Sequence, residues 1–252
     1  MSLSLRTRAA ATIAALLATT LVGVKAWNRF DTNRRCCQLS GAHNALLSAQ
    51  EMLRLKRSYS QFGQDKWVTE HVFPGVTDGF FLDVGSGDGT IGSNTKMLEQ
   101  YGWRGICVDP FPHNMEGRTC QMVKEVVFSA AGQTVQFRDA GDLGGIDATL
   151  GLWENDAKEA PLVEFTTVTL RDILERGKAP HYIHFFSLDI EGGELAALQA
   201  FPFDDYRFGA LAVEHNDEEP KRSNIKTLLE SHGYERVHSW LRDDFYVPRA
   251  PR

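Results

Sequence analysis

The chain is poor in cysteine, carries no basic cluster over most of its length, and has no uninterrupted apolar run as long as a typical membrane span. Four cysteines in 252 residues do not make a disulfide scaffold. Neither C-x-x-C nor paired-His spacing accompanies them, so a zinc site is not expected. Cys107 and Cys120 fall in or near expected core strands, where buried thiols act as small hydrophobes. Cys36 and Cys37 are adjacent and would be open to palmitoylation beside a membrane. The net charge of −6, with no basic run after residue 57, argues against nucleic acid as the main partner, because phosphate binding needs clustered Lys and Arg. The Tyr-x-x-x-Lys pair sought in a short-chain reductase is also missing. The length suits one α/β domain with an N-terminal appendage.

The longest charge-free stretch, residues 9–24, has 16 residues, bracketed by Arg6 and Arg8 before and Lys25 after. It lies between a signal-peptide core and the ~20 residues of a membrane span, and it lacks the polar stripe of a soluble helix. Residues 1–27 are therefore expected to be a single-pass membrane anchor, with a removed signal peptide or an organelle leader as alternatives. Lys25, Arg29, Arg34 and Arg35 outnumber Arg6 and Arg8, which favours a cytosolic domain, lumenal placement being the other option. Residues 28–57 read as a basic linker with an amphipathic patch at 45–55, and residues 58–252 as the folded domain.

That domain is organised around Phe80-Phe81-Leu82-Asp83-Val84-Gly85-Ser86-Gly87-Asp88-Gly89-Thr90. The apolar run suits a strand covered on both faces, and Gly85, Gly87 and Gly89 would let its turn approach a ligand closely. A helix over residues 93–101 should follow, stopped by Gly102. Gly87 to Gly92 also fits the dinucleotide pattern G-x-G-x-x-G. A dinucleotide would need the first glycine directly after the strand, however, and Asp83 in the turn would repel phosphate. An acid there suits the cationic amino-acid end of S-adenosylmethionine. The next strand ends in Asp109, 26 residues after Asp83, where an acid can accept ribose hydroxyls of either cofactor.

Further along, residues 60–73 read as a helix carrying Gln64 and Asp65, each either a capping group or a ligand. Residues 124–131 read as a third strand with Ser129 and Ala130 at its end, under the adenine, and 134–138 as an added strand. Residues 141–161 break all periodicity and read as an acceptor-side lid. A short helix opens at Thr169 or Leu170. Residues 182–190 form a strand ending in Asp189 and Glu191, and Gly192 and Gly193 lead into a helix over 194–200 in which Glu194 is a capping acid. The strand 211–216 ends in Glu214, His215 and Asn216. A helix over 223–232 with Ser223 as N-cap and an antiparallel pair at 234–240 and 244–247 complete the pattern.

Ser60-Gln61-Phe62-Gly63-Gln64-Asp65-Lys66-Trp67, Gly79 through Gly85, Ser93-Asn94-Thr95, Gly102 through Cys107, Arg118-Thr119-Cys120 and Leu188-Asp189-Ile190-Glu191-Gly192-Gly193-Glu194 together resemble the FkbM family of methyltransferases. The resemblance spans residues 59–247. It implies a class I Rossmann-like α/β fold, with a mostly parallel seven-stranded sheet, helices on both faces and an antiparallel C-terminal hairpin. It also implies S-adenosylmethionine as cofactor, held by Asp83, Gly85, Gly87, Asp88, Gly89, Asn94, Asp109, Ser129 and Ala130, and transfer to a hydroxyl oxygen. Asp109 stands where the family has a longer Glu, and Ser187 where Lys is common. A hydroxyl acceptor needs a base. Asp189 has the position and His215 the intrinsic pKa, with Glu191 orienting the substrate. A hard cation at Asp189, Glu191 and Glu214 is chemically possible, but no spacing demands it and no metal is expected. The acceptor is read as a small molecule or glycan, with the domain tethered to a membrane. A catalytically inactive binding or trafficking protein on the same fold is the alternative, and an NAD-dependent oxidoreductase comes last.

Overall fold

A computed structural model describes residues 58–250. The expected anchor, the linker to residue 57 and Cys36–Cys37 lie outside these residues; among the described residues no helix is long and apolar enough to cross a membrane.

Eleven strands form two sheets among the described residues. The main sheet contains β1 (Phe80–Val84), β2 (Arg104–Val108) and β3 (Gln121–Val123). The smaller one holds β4 (Val126–Val127), β5 (Thr134–Arg138), β6 (Gly145–Ile146) and β7 (Leu162–Val168). The chain then returns to the main sheet through β8 (Tyr182–Leu188), β9 (Arg207–Glu214), β10 (Tyr234–Trp240) and β11 (Asp243–Pro248). The seven-stranded order is β10-β11-β9-β8-β1-β2-β3, parallel from β9 through β3, with β11 antiparallel to β9 and β10 antiparallel to β11. This is the doubly wound sheet with a terminal hairpin that the sequence implies.

Alternation along β1 decides which side each residue faces. Leu82 and Val84 pack with Ile106, Leu188 and Leu211 on one face, while Phe81 packs with Leu98, Trp103, Cys107 and Phe185 on the other. Both faces are covered, which is why β1 reads as a continuous apolar run. Among the described residues, five α-helical segments supply the cover: α1 (Gln64–Lys66, continuing as a π-turn over Trp67–Val72), α2 (Lys96–Gln100), α4 (Leu170–Arg176), α5 (Glu194–Gln199) and α6 (Lys221–Ser231), while α3 (Glu154–Ala157) lies within the 141–161 segment. A Thr169–Asp172 capping box opens α4. Ser223 is not an N-cap: α6 starts two residues earlier, behind Pro220, and Ser223 lies inside it.

Two further expectations need correction. The strand expected at 124–131 is divided. Residues 121–123 complete the main sheet, whereas Val126 and Val127 leave it to pair in parallel with β7. An apolar cluster draws Val126 away: it packs with Phe137, Ile146, Phe111 and Phe165, whose aromatic rings stand 5.5–5.9 Å apart, while Val127 still packs in the main core. Nor are Cys107 and Cys120 free thiols. They form a disulfide with Cα atoms 5.8 Å apart, because the β2–β3 register sets the residue before Gln121 beside β2.

Candidate functional site

A cleft opens at the carboxyl ends of β1, β2 and β8, the edge at which open α/β sheets bind ligands. It has two carboxylate-bearing walls.

The first wall is the turn after β1. Asp83 is buried, and its Oδ2 accepts a hydrogen bond from Thr95 Oγ1 at 2.5 Å. Burial pushes its carboxyl above the ordinary value, against the opposing pull of Thr95 and Arg118. Asp109 ties the turn to β2, its two oxygens accepting the N–H of Gly87 (2.9 Å) and Phe111 (2.8 Å). Each oxygen keeps a lone pair for a ligand hydroxyl, and burial raises this carboxyl also. Asp88 folds back on its own loop. Its Oδ1 takes the N–H of Thr90 and Ile91, and its Oδ2 the amide of Asn114. Although burial works the other way, those donors hold its pKa below the ordinary range.

The glycines serve the protein more than a ligand. A Cβ on Gly85 (φ +84°) would stand 1.5 Å from the carbonyl oxygen of Asp189, and one on Gly89 would strike Met115 and Asn114. Close backbone approach is needed where β1 meets β8; Gly85 and Gly87 also line the cleft, and Gly89 does not. Gly87 (φ +41°) lines the cleft opposite Asp142. Two polar atoms on this wall are buried without a partner, Ser86 Oγ and Asn94 Oδ1, while Asn94 Nδ2 donates to Ser187 Oγ at 2.9 Å.

Beneath the turn lies Arg118, which the motif reading gives no separate role. Its buried side chain donates to Glu99 (2.7 Å), the Gly89 carbonyl, Ser93 Oγ, Thr95 Oγ1 and Cys107 Sγ. One guanidinium thereby fixes the glycine turn, the start of α2 and the disulfide together. Ser93 Oγ accepts from Lys96 N, so α2 begins only at Lys96 rather than at residue 93.

The second wall joins the ends of β8 and β9. Asp189 and Glu191 line the cleft, and Glu214 stands behind them; one oxygen from each lies within 4.8 Å of the others. Burial first, then mutual repulsion, pushes Glu191 and Glu214 well up, and burial raises Asp189 as well. Asn216 Nδ2 donates to Glu191 Oε2 (2.9 Å) and to Glu214 Oε2 (2.7 Å). Glu194 accepts the N–H of Ile190 and Gly192 and pairs with Lys221 at 3.1 Å, so it ties down the turn before α5 rather than capping the helix.

Several expected site residues are placed elsewhere. His215 is buried off the cleft lining, its Nδ1 accepts the Asp217 N–H at 2.9 Å, and burial lowers its pKa to about 4. Ser129 and Ala130 are also off the lining, where Glu125, Val126 and Val127 stand instead, because the chain left the main sheet five residues before Ser129. Of the α1 pair, Gln64 lines the cleft and donates to Asp243, while Asp65 closes its own turn by accepting from Ser58, Tyr59 and Ser60. Within residues 141–161 the segment is tied down. Arg138 binds Asp147 and the carbonyls of Lys158 and Ala160, Glu218 accepts the Leu152 N–H, and Arg242 stands 4.2 Å over the Trp153 ring. Gly141, Asp142, Gly144 and Ile146 present it to the cleft.

Against known families, the Methyltransferase FkbM domain matches residues 83–236, more than half of the chain. The chain belongs to the FkbM methyltransferase family. The match runs from Asp83 in β1 to Arg236 in β10 and so takes in both walls of the cleft. No curated protein matches the chain. Among solved structures, a protein of Pyrococcus horikoshii provisionally named an RNA methyltransferase is 10% identical over 75% of this chain and 85% of its own, with a TM-score of 0.37. A likeness of that size adds nothing to the FkbM assignment.

Proposed function

We propose that this FkbM protein transfers a methyl group from S-adenosylmethionine to a hydroxyl oxygen of a small-molecule or glycan-like acceptor. The observation that carries the reading is the pairing of two unlike walls across one cleft: unpartnered Ser86 Oγ and Asn94 Oδ1 beside Asp83 and Asp109 on one side, and a raised-pKa carboxylate cluster on the other. Asp83 and Asn94 suit the ammonium end of the cofactor, Asp109 the ribose hydroxyls, and Val126, Val127, Phe137 and Ile146 an adenine ring. When bound, the cofactor supplies an electrophilic methyl group on a sulfonium. Asp189 accepts the proton that the acceptor hydroxyl loses. Its raised pKa brings it nearer the working pH, which suits a general base, and Glu191 orients the acceptor. A dinucleotide fits less well: three carboxylates face the turn, and the five-residue α2 starts at Lys96, seven residues past Gly89.

The Cys107–Cys120 bridge favours an oxidising compartment. We therefore place the domain on the lumenal or extracellular side, with residues 1–27 as anchor or signal peptide, rather than in the cytosol.

Calorimetric titration of the full chain with S-adenosylmethionine and with NAD tests the cofactor. Saturable S-adenosylmethionine binding, weakened at least tenfold by Asp109→Asn, is expected. Binding of NAD alone would sink the reading, and cofactor binding without methyl transfer to any acceptor tried would favour the inactive binding protein.

A further inference from the structure

We propose that Asp189, Glu191, Glu214 and Asn216 form a site for one hard divalent cation of the magnesium or manganese class. One carboxylate oxygen from each of the three acids lies within 4.8 Å of the others, a spread that a single ion can bridge with little side-chain movement. Glu191 and Glu214 are 7% and 6% exposed, so water does little to screen them from each other. The nearest ammonium, that of Lys221, is paired with Glu194 (3.1 Å) and Glu218 (2.9 Å) rather than with these two glutamates.

The second observation is Asn216, which is 5% exposed and has its Oδ1 buried with no hydrogen-bond partner. Its amide sits against the acids, with Nδ2 within 2.9 Å of both glutamates. Oδ1 shares the amide carbon with that nitrogen and so lies beside the same cluster. A buried amide oxygen without a donor is costly to leave unmade. Which end of an amide carries nitrogen is fixed only by its neighbours' needs. With carboxylates alone, N–H must face them. With a cation among them, the amide turned over brings its oxygen to the ion. The resulting set is all oxygen, three carboxylates and one carbonyl, which suits magnesium, manganese or calcium rather than zinc or copper.

Asp189 and Glu191 line the cleft, so an ion held there has a face open to it. An acceptor hydroxyl bound to the ion through oxygen would lose its proton more readily, to the Asp189 oxygen that the ion leaves free. That consequence rests on the methyl-transfer reading, but the binding of the ion does not.

The test is titration of the full chain, stripped by chelator and dialysed, with manganese chloride, reading free Mn²⁺ by electron paramagnetic resonance without cofactor or acceptor. One Mn²⁺ per chain is expected, with a Kd of about 1 mM or tighter. Glu191→Gln and Glu214→Gln should each weaken it at least tenfold, while melting no lower than wild type without metal, because each replaces a buried acid with a neutral side chain of the same shape. Asn216→Asp, which adds a carboxylate, should tighten binding about tenfold. Absence of binding at about 1 mM, binding unchanged in both glutamine variants, or no gain in Asn216→Asp would each overturn the site. Because neither cofactor nor acceptor is present, failure here leaves the methyl-transfer reading standing, and failure of that reading leaves this result intact.

Discussion

The two walls of the cleft are built from the same residue type and put to opposite uses. On the glycine-turn wall every acid is met by donors: Asp83 by Thr95, Asp88 by two backbone N–H groups and Asn114, and Asp109 by Gly87 and Phe111. On the β8–β9 wall, Asp189, Glu191 and Glu214 face one another, with Asn216 bridging the two glutamates. A carboxylate surrounded by donors holds a scaffold in place. A carboxylate facing carboxylates is held in an unfavourable state by the rest of the fold, and such stored cost marks a place where a proton, a cation or a substrate is meant to arrive.

If the first wall is scaffold, breaking its donor hub should cost stability, and Arg118→Met gives the largest expected effect. It strips five donors from buried partners and leaves Glu99, whose side chain is 5% exposed, without its cation. Loss of about 3–5 kcal/mol is expected from urea denaturation. A loss no larger than an exposed ion pair gives, under about 1 kcal/mol, would mean that the guanidinium is not the organiser argued for. Next comes reduction of Cys107–Cys120, which closes a loop with a sequence separation of 13. About 3 kcal/mol should go with it, seen as a lower melting temperature in dithiothreitol. An unchanged melting temperature would remove the argument for an oxidising compartment.

The contrast between the walls was only half legible in the sequence. The main sheet could be read because β1, β2, β8 and β9 are apolar on both faces and end in acids or glycines, a local pattern. Asp83, Asp109, Asp189 and Glu191 could be placed for the same reason: a strand's end is where its pattern stops. The Arg118 hub could not, since its five partners are spread from Gly89 to Cys107 and no period links them. The second sheet was hidden because Val126 and Val127 look like the continuation of a strand, and only the distant Phe137 and Phe165 draw Val126 out of it. The disulfide was missed because two cysteines 13 residues apart meet only through the β2–β3 register. His215 was credited with an intrinsic pKa that burial takes away. Asn216 was passed over because its meaning depends on two glutamates, one of them 25 residues earlier in the chain.

A smaller effect separates scaffold from site on the first wall itself. Asp109→Asn leaves an acceptor oxygen for one of the two backbone N–H groups but sets an amide N–H against the other. About 1–3 kcal/mol of stability or cofactor affinity should be lost. If cofactor affinity falls while the melting temperature holds, Asp109 faces the ligand; if the melting temperature falls first, it belongs with Asp88 as part of the turn.

The second wall should show itself most quietly, in the pH dependence of stability without metal. Asp189, Glu191 and Glu214 all have pKa values raised above the ordinary carboxylate range by burial, so the folded chain holds protons there that the unfolded chain has released. With fewer protons on the unfolded state, stability falls as pH rises from the ordinary carboxylate range through the raised values, by at most about 1.4 kcal/mol per pH unit for each group titrating. Glu191→Gln, which cannot release a proton, should flatten that fall in urea denaturation followed from about pH 5 to pH 8, the window set by the raised values. A wild-type curve that rises even from about pH 6.5 to pH 8, above the range in which His215, lowered by burial, adds a rise of its own, would mean that these carboxylates are already compensated within the fold, and the two walls would then be alike.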